Sequence, residues 1–170
     1  MAKLSLSPKF IKEVFLLFRE KSLKDVFFGK KATLSSSEKQ LASWIKEHPD
    51  EFKRLGGRHG SFVKIDPIHK GEGMVYILPD IVGDKTKSSR VLLSESTKVT
   101  NGPDLWVYLS TSKDIKKEGL GAYLNLGLMK GNKGGQSYVV EKSIAELVPY
   151  NSVVIWCKQF SVLFTVATLL

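Results

Sequence analysis

The sequence predicts a mainly β protein, an antiparallel β-sandwich of about eight strands preceded by an N-terminal segment of two or three helices. Before Gly56-Gly57, apolar residues recur at three- and four-residue intervals, which is the periodicity of an amphipathic helix. After these glycines the period shortens to two and turn residues become frequent, which is typical of short antiparallel strands. The chain therefore divides into a basic helical segment, residues 1–57, and a β domain, residues 58–170.

The helical segment contains two helix starts. Ser7-Pro8 places an N-cap residue before a proline of the first turn. The second start is Ser35, with Glu38 at capping-box spacing, and its helix runs until Pro49 interrupts it and Gly56-Gly57 ends a last short turn. Each helix has an apolar stripe, so we expect them to pack on each other, on the β domain or on a partner. The stripe of the first helix is Phe10, Ile11, Val14, Phe15, Leu17 and Phe18.

Eight segments of the β domain have the alternation of strands, and one stretch, residues 143–147, has a short helical pattern. The strands are predicted at residues 61–65, 74–78, 90–94, 105–110, 123–126, 137–141, 153–156 and 160–166. The last two form an apolar hairpin. If Lys158-Gln159 makes a two-residue turn, Cys157 and Phe160 lie directly cross-strand on the core face. Lys-Gln is poor chemistry for such a turn, so a longer loop or a bulge is the alternative.

Charge and composition narrow the classes of function. The formal net charge is +9, and residues 1–58 hold 13 of the 26 Lys and Arg. These cations are dispersed among acids, which favours a solvated surface over nucleic-acid binding, while the basic amphipathic first helix is a candidate for contact with a membrane surface. No HExxH, GxSxG, Walker or Rossmann pattern occurs, so a stand-alone enzyme is not expected.

The single cysteine excludes an intrachain disulfide and a CxxC pair. The N-terminus lacks a signal-peptide core, and no apolar run is long enough for a membrane span. We therefore expect a soluble protein, cytoplasmic if the chain is full length and extracytoplasmic if a leader was removed.

Cys157 is the side chain most capable of redox or ligand chemistry. It is predicted at the tip of a strand, at the rim of the core, where a cysteine commonly acts as a small buried hydrophobe. A redox role is the alternative, because Lys158 is placed to lower the thiol pKa and Trp156 is an oxidisable neighbour.

Four motifs in order, from about residue 60 to residue 169, resemble the DM-thirteen domain. The C-terminal motif is Ile155-Trp156-Cys157-Lys158, followed by Phe160, Val162 and Phe164. The central motif is Asn101-Gly102-Pro103-Asp104-Leu105. The other two consist of Leu128, Lys130-Gly131-Asn132, Gly134, Gln136 and Tyr138, and of His69, Gly73 and Ile77-Leu78.

The resemblance implies a β-sandwich that carries electrons, with Cys157 acting as a free redox thiol or as the ligand of a prosthetic group such as haem. In the haem form, His69 is the candidate second axial ligand and Trp156 a flanking aromatic. A cytochrome or haem-binding protein would then be the redox partner, supplied by another molecule. The alternative is a non-catalytic β-sandwich interaction module, in which Cys157 is structural and the basic helices form part of the partner surface.

Overall fold

The structure, a computed structural model, describes residues 29–82 and 87–170. The helices in these ranges are α1 (Ser36–Glu47), α2 (Pro49–Arg54), α3 (Ile115–Glu118) and a 3-10 helix at Ala145–Leu147. The strands are β1 (Arg58–Ser61), β2 (Gly71–Glu72), β3 (Met74–Pro79), β4 (Ser89–Leu93), β5 (Lys98–Val99), β6 (Leu105–Ser110), β7 (Tyr123–Leu128), β8 (Gln136–Val140), β9 (Ser152–Cys157) and β10 (Val162–Thr168). No described helix has both the length and the apolar character needed to cross a bilayer. The first predicted helix, starting at Ser7-Pro8, lies outside the described residues.

Two antiparallel four-stranded sheets form the body of the molecule, which confirms the predicted fold class. The first sheet has the order β1-β3-β4-β8 and the second the order β10-β9-β6-β7, while β2 and β5 form a separate two-stranded ribbon. The main core lies between the sheets and contains residues from both, including Val75, Val91, Val107 and Val153, all wholly buried. A bridge between Phe62 and Ala167 joins the end of β1 to β10 and closes one edge of the sandwich.

The helices cover the outer faces of the sheets. Leu41 and Ile45 of α1 and Phe52 of α2 pack on Leu78 and Leu92, which point outward from the first sheet. Strand β4 is therefore buried along its whole length, because helices cover one face and the second sheet covers the other. On the second sheet, Ile115 of α3 packs against Tyr108 and Val154.

A buried ion-pair cluster fixes α1 to the first sheet. Arg90 of β4 donates from Nε to Asp80 Oδ1 (2.8 Å), and from Nη1 to Glu38 Oε1 (3.0 Å) and Ser137 Oγ (2.9 Å). The other oxygen of Glu38 accepts from the Ser35 backbone N–H, completing the predicted capping box. The same carboxylate therefore begins α1 and attaches it to the sheet.

The hairpin that carries Cys157 differs from the two-residue turn first considered. Val162, not Phe160, is the cross-strand partner of Cys157, so the connection is the four-residue loop 158–161. Ser161 has a positive φ of 53°, and the register shifts between Leu163 and Thr165. The longer loop and the bulge were the alternative, and they form because Lys158-Gln159 lacks the Gly or Asn that a two-residue turn favours. Phe160 consequently lies in the loop and is 48% exposed, so its predicted place on the core face was wrong.

Two further differences concern short strands. The first strand was predicted at residues 61–65 but spans Arg58–Ser61, because the chain leaves the β1–β3 ladder once Phe62 bridges to Ala167. Strands β2 and β5 were not predicted at all. Each has two residues, too few for any alternation to be visible.

Candidate functional site

Cys157 is the last residue of β9 and its side chain is wholly buried in the main core. Strand alternation points it inward with Val153 and Ile155, as predicted. Its cross-strand neighbours are Leu105 on β6 and Val162 on β10. The strand-end position agrees with the sequence analysis, but the thiol lies deeper than the rim position expected there.

Backbone hydrogen bonds close the end of the sandwich around the thiol. The Lys158 N–H donates to the Asp104 carbonyl (3.0 Å), and the Met129 N–H donates to the Leu105 carbonyl (2.8 Å). Met129, the residue after β7, packs against the main core. The sulfur is therefore enclosed in the apolar core, with Leu105 and Val162 as its cross-strand neighbours.

The glycine-rich loop after β7 closes the same end of the molecule. Gly131 and Gly134 lie against the backbone of residues 30–32, where a Cβ would come within 2.5 Å of the Lys30 carbonyl oxygen and 2.2 Å of the Ala32 carbonyl oxygen. The amide of Asn132 donates to the Val99 carbonyl (3.1 Å) and also contacts Asn101. The loop is thus a packed connection from β7 of the second sheet to β8 of the first.

Tyr138 and Gln136 of β8 hold the start of that loop by hydrogen bonds. Its hydroxyl donates to Gln136 Oε1 (2.8 Å), and the Lys130 N–H donates to the same oxygen of Gln136 (2.8 Å). Burial raises the pKa of Tyr138 well above its ordinary value, so the phenol stays protonated and remains a hydrogen-bond donor. These motif residues are therefore explained by structure alone.

His69 lies in the loop between β1 and β2, and its ring is held by an aspartate. Its Nδ1 is 2.6 Å from Asp66 Oδ2, and the backbone N–H groups of Ile68 and His69 donate to Asp66 Oδ1 (both 2.7 Å). The His69 side-chain bond, followed by the backbone bonds, lowers the pKa of Asp66 to about 2. The ring is also edge-on to Phe164, with centroids 4.7 Å apart.

The structure brings His69 and Cys157 to the same end of the sandwich, with Phe164 and Leu105 in the contacts that link them. A Cβ on Gly102 would lie 2.7 Å from both the Leu105 Cδ2 and the Phe164 Cζ, so these two side chains meet over that glycine. Leu105 in turn pairs with Cys157. Within residues 29–82 and 87–170, no group of three or more His, Cys, Asp or Glu side chains is arranged to hold a metal ion.

This packing does not fit haem. Iron ligation would require the Cys157 sulfur to face a broad planar macrocycle, yet the side chains of Cys157, Val107 and Ile155 have no exposed surface. The bond between His69 Nδ1 and Asp66 would leave Nε2 to bind a metal, so the misfit lies at Cys157 and not at His69. Of the two forms implied by the resemblance, the closed core favours the free thiol.

Trp156 points away from Cys157, onto the outer face of the second sheet. It pairs directly with Trp106 across β9 and β6, and both indoles are half-buried. The Trp106 Nε1–H donates to Asp104 Oδ1 (2.8 Å), and the Lys158 ammonium lies 4.9 Å from the centre of the Trp106 ring. This cluster was not predicted, although Asp104 and Trp106 are two residues apart in extended chain and therefore project to the same side.

The fold and the site define an antiparallel β-sandwich domain with one core thiol and no disulfide. A family model described as "Electron transfer DM13" matches residues 61–169, which is more than half of the chain. The protein belongs to this family, as the motif resemblance indicated. No curated protein and no solved structure gave a significant match.

Proposed function

We propose that this domain exchanges single electrons through Cys157 acting as a free thiol. The observation that carries the proposal is that the only cysteine of the chain lies inside the matched electron-transfer domain, at a strand end, with its sulfur in the core. His69 lies at the same end of the sandwich. Its ring is bonded to Asp66 and packs edge-on against Phe164.

Burial decides which redox chemistry the thiol can perform. Disulfide exchange and peroxide oxidation require another molecule to touch the sulfur, and a thiol with no exposed surface does not permit that. An electron needs no such contact, because it can tunnel through packed protein. In the proposed step, one electron leaves the thiol for a high-potential haem centre on another protein, which is reduced by one electron. The thiol proton passes to a water molecule admitted by a brief opening of the loop 158–161, too small to admit a larger reagent, and the reverse step restores the thiol.

The test combines optical spectra with radical detection on the pure protein. Wild type, Cys157→Ala and Cys157→Ser are recorded in oxidised and reduced forms, with and without added haemin. We expect no haem uptake by any of them, and a reversible one-electron sulfur signal in wild type alone. A Soret band that is lost when Cys157 is replaced would show that the cysteine is a haem ligand and not a free thiol. A signal unchanged in both variants would remove Cys157 from the function.

A second candidate is the interaction module, which the complete burial of Cys157 favours. In that case the cysteine serves only packing, and Cys157→Ala changes stability without changing any redox or binding property. The first 28 residues then contribute to a partner surface. Because α1 and α2 cover Leu78 and Leu92, deletion should stop before Gly29, so that the described helices are kept. Loss of partner binding with intact electron chemistry in this deletion would separate the two functions.

A further inference from the structure

The outer face of the second sheet carries a cluster of an indole, a carboxylate and an ammonium group, formed by Trp106, Asp104 and Lys158. Trp106 is half-buried beside Trp156, its direct cross-strand partner. Among the described residues, the indole N–H of Trp106 is the one that donates to a carboxylate, at 2.8 Å from Asp104 Oδ1. Cys157 has its side chain on the opposite face of the same sheet, so this cluster is separate from the thiol.

Asp104 gives the indole a built-in proton acceptor. Losing one electron makes the N–H group of an indole far more acidic than in the neutral ring, and the hydrogen bond already directs that proton to Asp104 Oδ1. Carboxylates accept through either oxygen, so the proton has a place to go without any rearrangement. Asp104 is also held in position, because the backbone carbonyl of the same residue accepts from the Lys158 N–H (3.0 Å).

Lys158 favours transfer of the proton together with the electron. Its ammonium group lies 4.9 Å from the Trp106 ring centre, where it is attracted to the neutral indole. The same charge would repel an indole radical cation at that short distance. Electron loss without proton loss is therefore penalised, while electron loss coupled to proton transfer onto Asp104 leaves a neutral indolyl radical beneath the ammonium group.

We propose that Trp106 is a one-electron redox site at the surface of this domain, with Asp104 as its proton acceptor. In the oxidation step, an outer-sphere metal complex takes one electron from the indole and is itself reduced by one electron. The N–H bond of Trp106 breaks, and its proton forms an O–H bond on Asp104. Reduction returns the electron to the ring and the proton to the nitrogen. The site does not depend on Cys157.

The test uses photogenerated tris(bipyridine)ruthenium(III) as the oxidant of the full-length Cys157→Ala protein, so that failure of the thiol hypothesis leaves the result unaffected. Transient absorption and electron paramagnetic resonance identify the radical. We expect a neutral indolyl radical that forms more slowly in D2O. Trp106→Phe should lose this signal. Trp44→Phe and Trp156→Phe are matched controls and should keep the signal. Trp44 lies on α1 against the other sheet, and the indole N–H that donates to a carboxylate is that of Trp106 and not that of Trp156.

Asp104→Asn separates the proposal from simple surface exposure of the indole. An amide oxygen still accepts the hydrogen bond from Trp106 but does not take up the proton, so the indole keeps its position without its base. We expect slower oxidation, a radical-cation spectrum and loss of the D2O effect. The proposal is overturned if the signal survives Trp106→Phe, if Asp104→Asn behaves as its parent, or if a tyrosyl radical from Tyr123 accumulates in place of the indolyl radical.

Discussion

Replacing Arg90 by Met tests whether the buried ion-pair cluster holds the helical layer onto the sandwich. The side chains of Arg90 and Asp80 are 8% and 1% exposed, and that of Glu38 is 17% exposed. Removing one partner of a buried pair leaves an uncompensated charge and costs roughly 3–5 kcal/mol. Asp80 has a further interaction and Glu38 is in partial contact with water, so we expect a loss of about 3 kcal/mol, the lower end of that range.

The free energy of unfolding is measured by urea titration, followed by circular dichroism. Arg54→Met is the matched control, because Arg54 pairs with Glu51 on the helix surface with side chains 74% and 49% exposed. Such a pair contributes about 0–1 kcal/mol. Adding Asp80→Asn to Arg90→Met should recover part of the loss, since the stranded charge is removed. If Arg90→Met loses no more free energy of unfolding than Arg54→Met, the buried ion-pair cluster does not hold the helices onto the sandwich.

The pH dependence of stability gives an independent check on this cluster. Burial raises the pKa of Glu38, but the hydrogen bonds from Ser137 and Ser35, together with Arg90, outweigh it and hold the pKa below its ordinary value. A lowered carboxyl pKa contributes stability that is present above the ordinary pKa and is lost as the pH falls through the folded value. Acid should therefore destabilise wild type more than Arg90→Met.

Three other predictions address the closure of the sandwich and the candidate site. Gly60→Ala should cost about 1–3 kcal/mol or more, because its Cβ would lie 2.2 Å from the Thr168 carbonyl oxygen, and an unchanged Tm would contradict that close approach. In an NMR titration the Asp66 carboxyl should have a pKa of about 2, and His69→Gln should return it toward its ordinary value of 3.8; the stability that Asp66 contributes is complete above pH 3.8 and is lost between there and pH 2. Cys157 should react with a maleimide only at the rate of unfolding, and fast labelling of native protein would show an open thiol.

Elements fixed by neighbouring residues were predictable from the sequence. The start of α1 followed from Ser35 and Glu38, which are three residues apart and form the capping box. Strand β6 was predicted at the bounds it has in the structure, since Asn101-Gly102-Pro103 ends the preceding segment and six alternating residues follow. The first strand was misplaced because a contact with Ala167, more than a hundred residues away, redirects the chain at Phe62.

The candidate site was predictable only in part, for the same reason. Alternation along β9 correctly placed Cys157 on the core face. Its complete burial depends also on the packing of the opposite sheet, which has no local signature. The contact between His69 and Phe164 joins distant parts of the sequence, so the histidine gave no sign of its neighbour. The link between Asp104 and Trp106 was open to prediction, because it needs only the spacing of a strand.

The first and last strands of the sandwich end close together, which affects how the domain can be joined to other proteins. His59 accepts a backbone hydrogen bond from the Leu170 N–H (2.9 Å), and Gly60 lies against Thr168. The two ends of the matched region are therefore side by side. A module with adjacent ends can be spliced into a surface loop of an unrelated protein, or strung in tandem, without stretching its host.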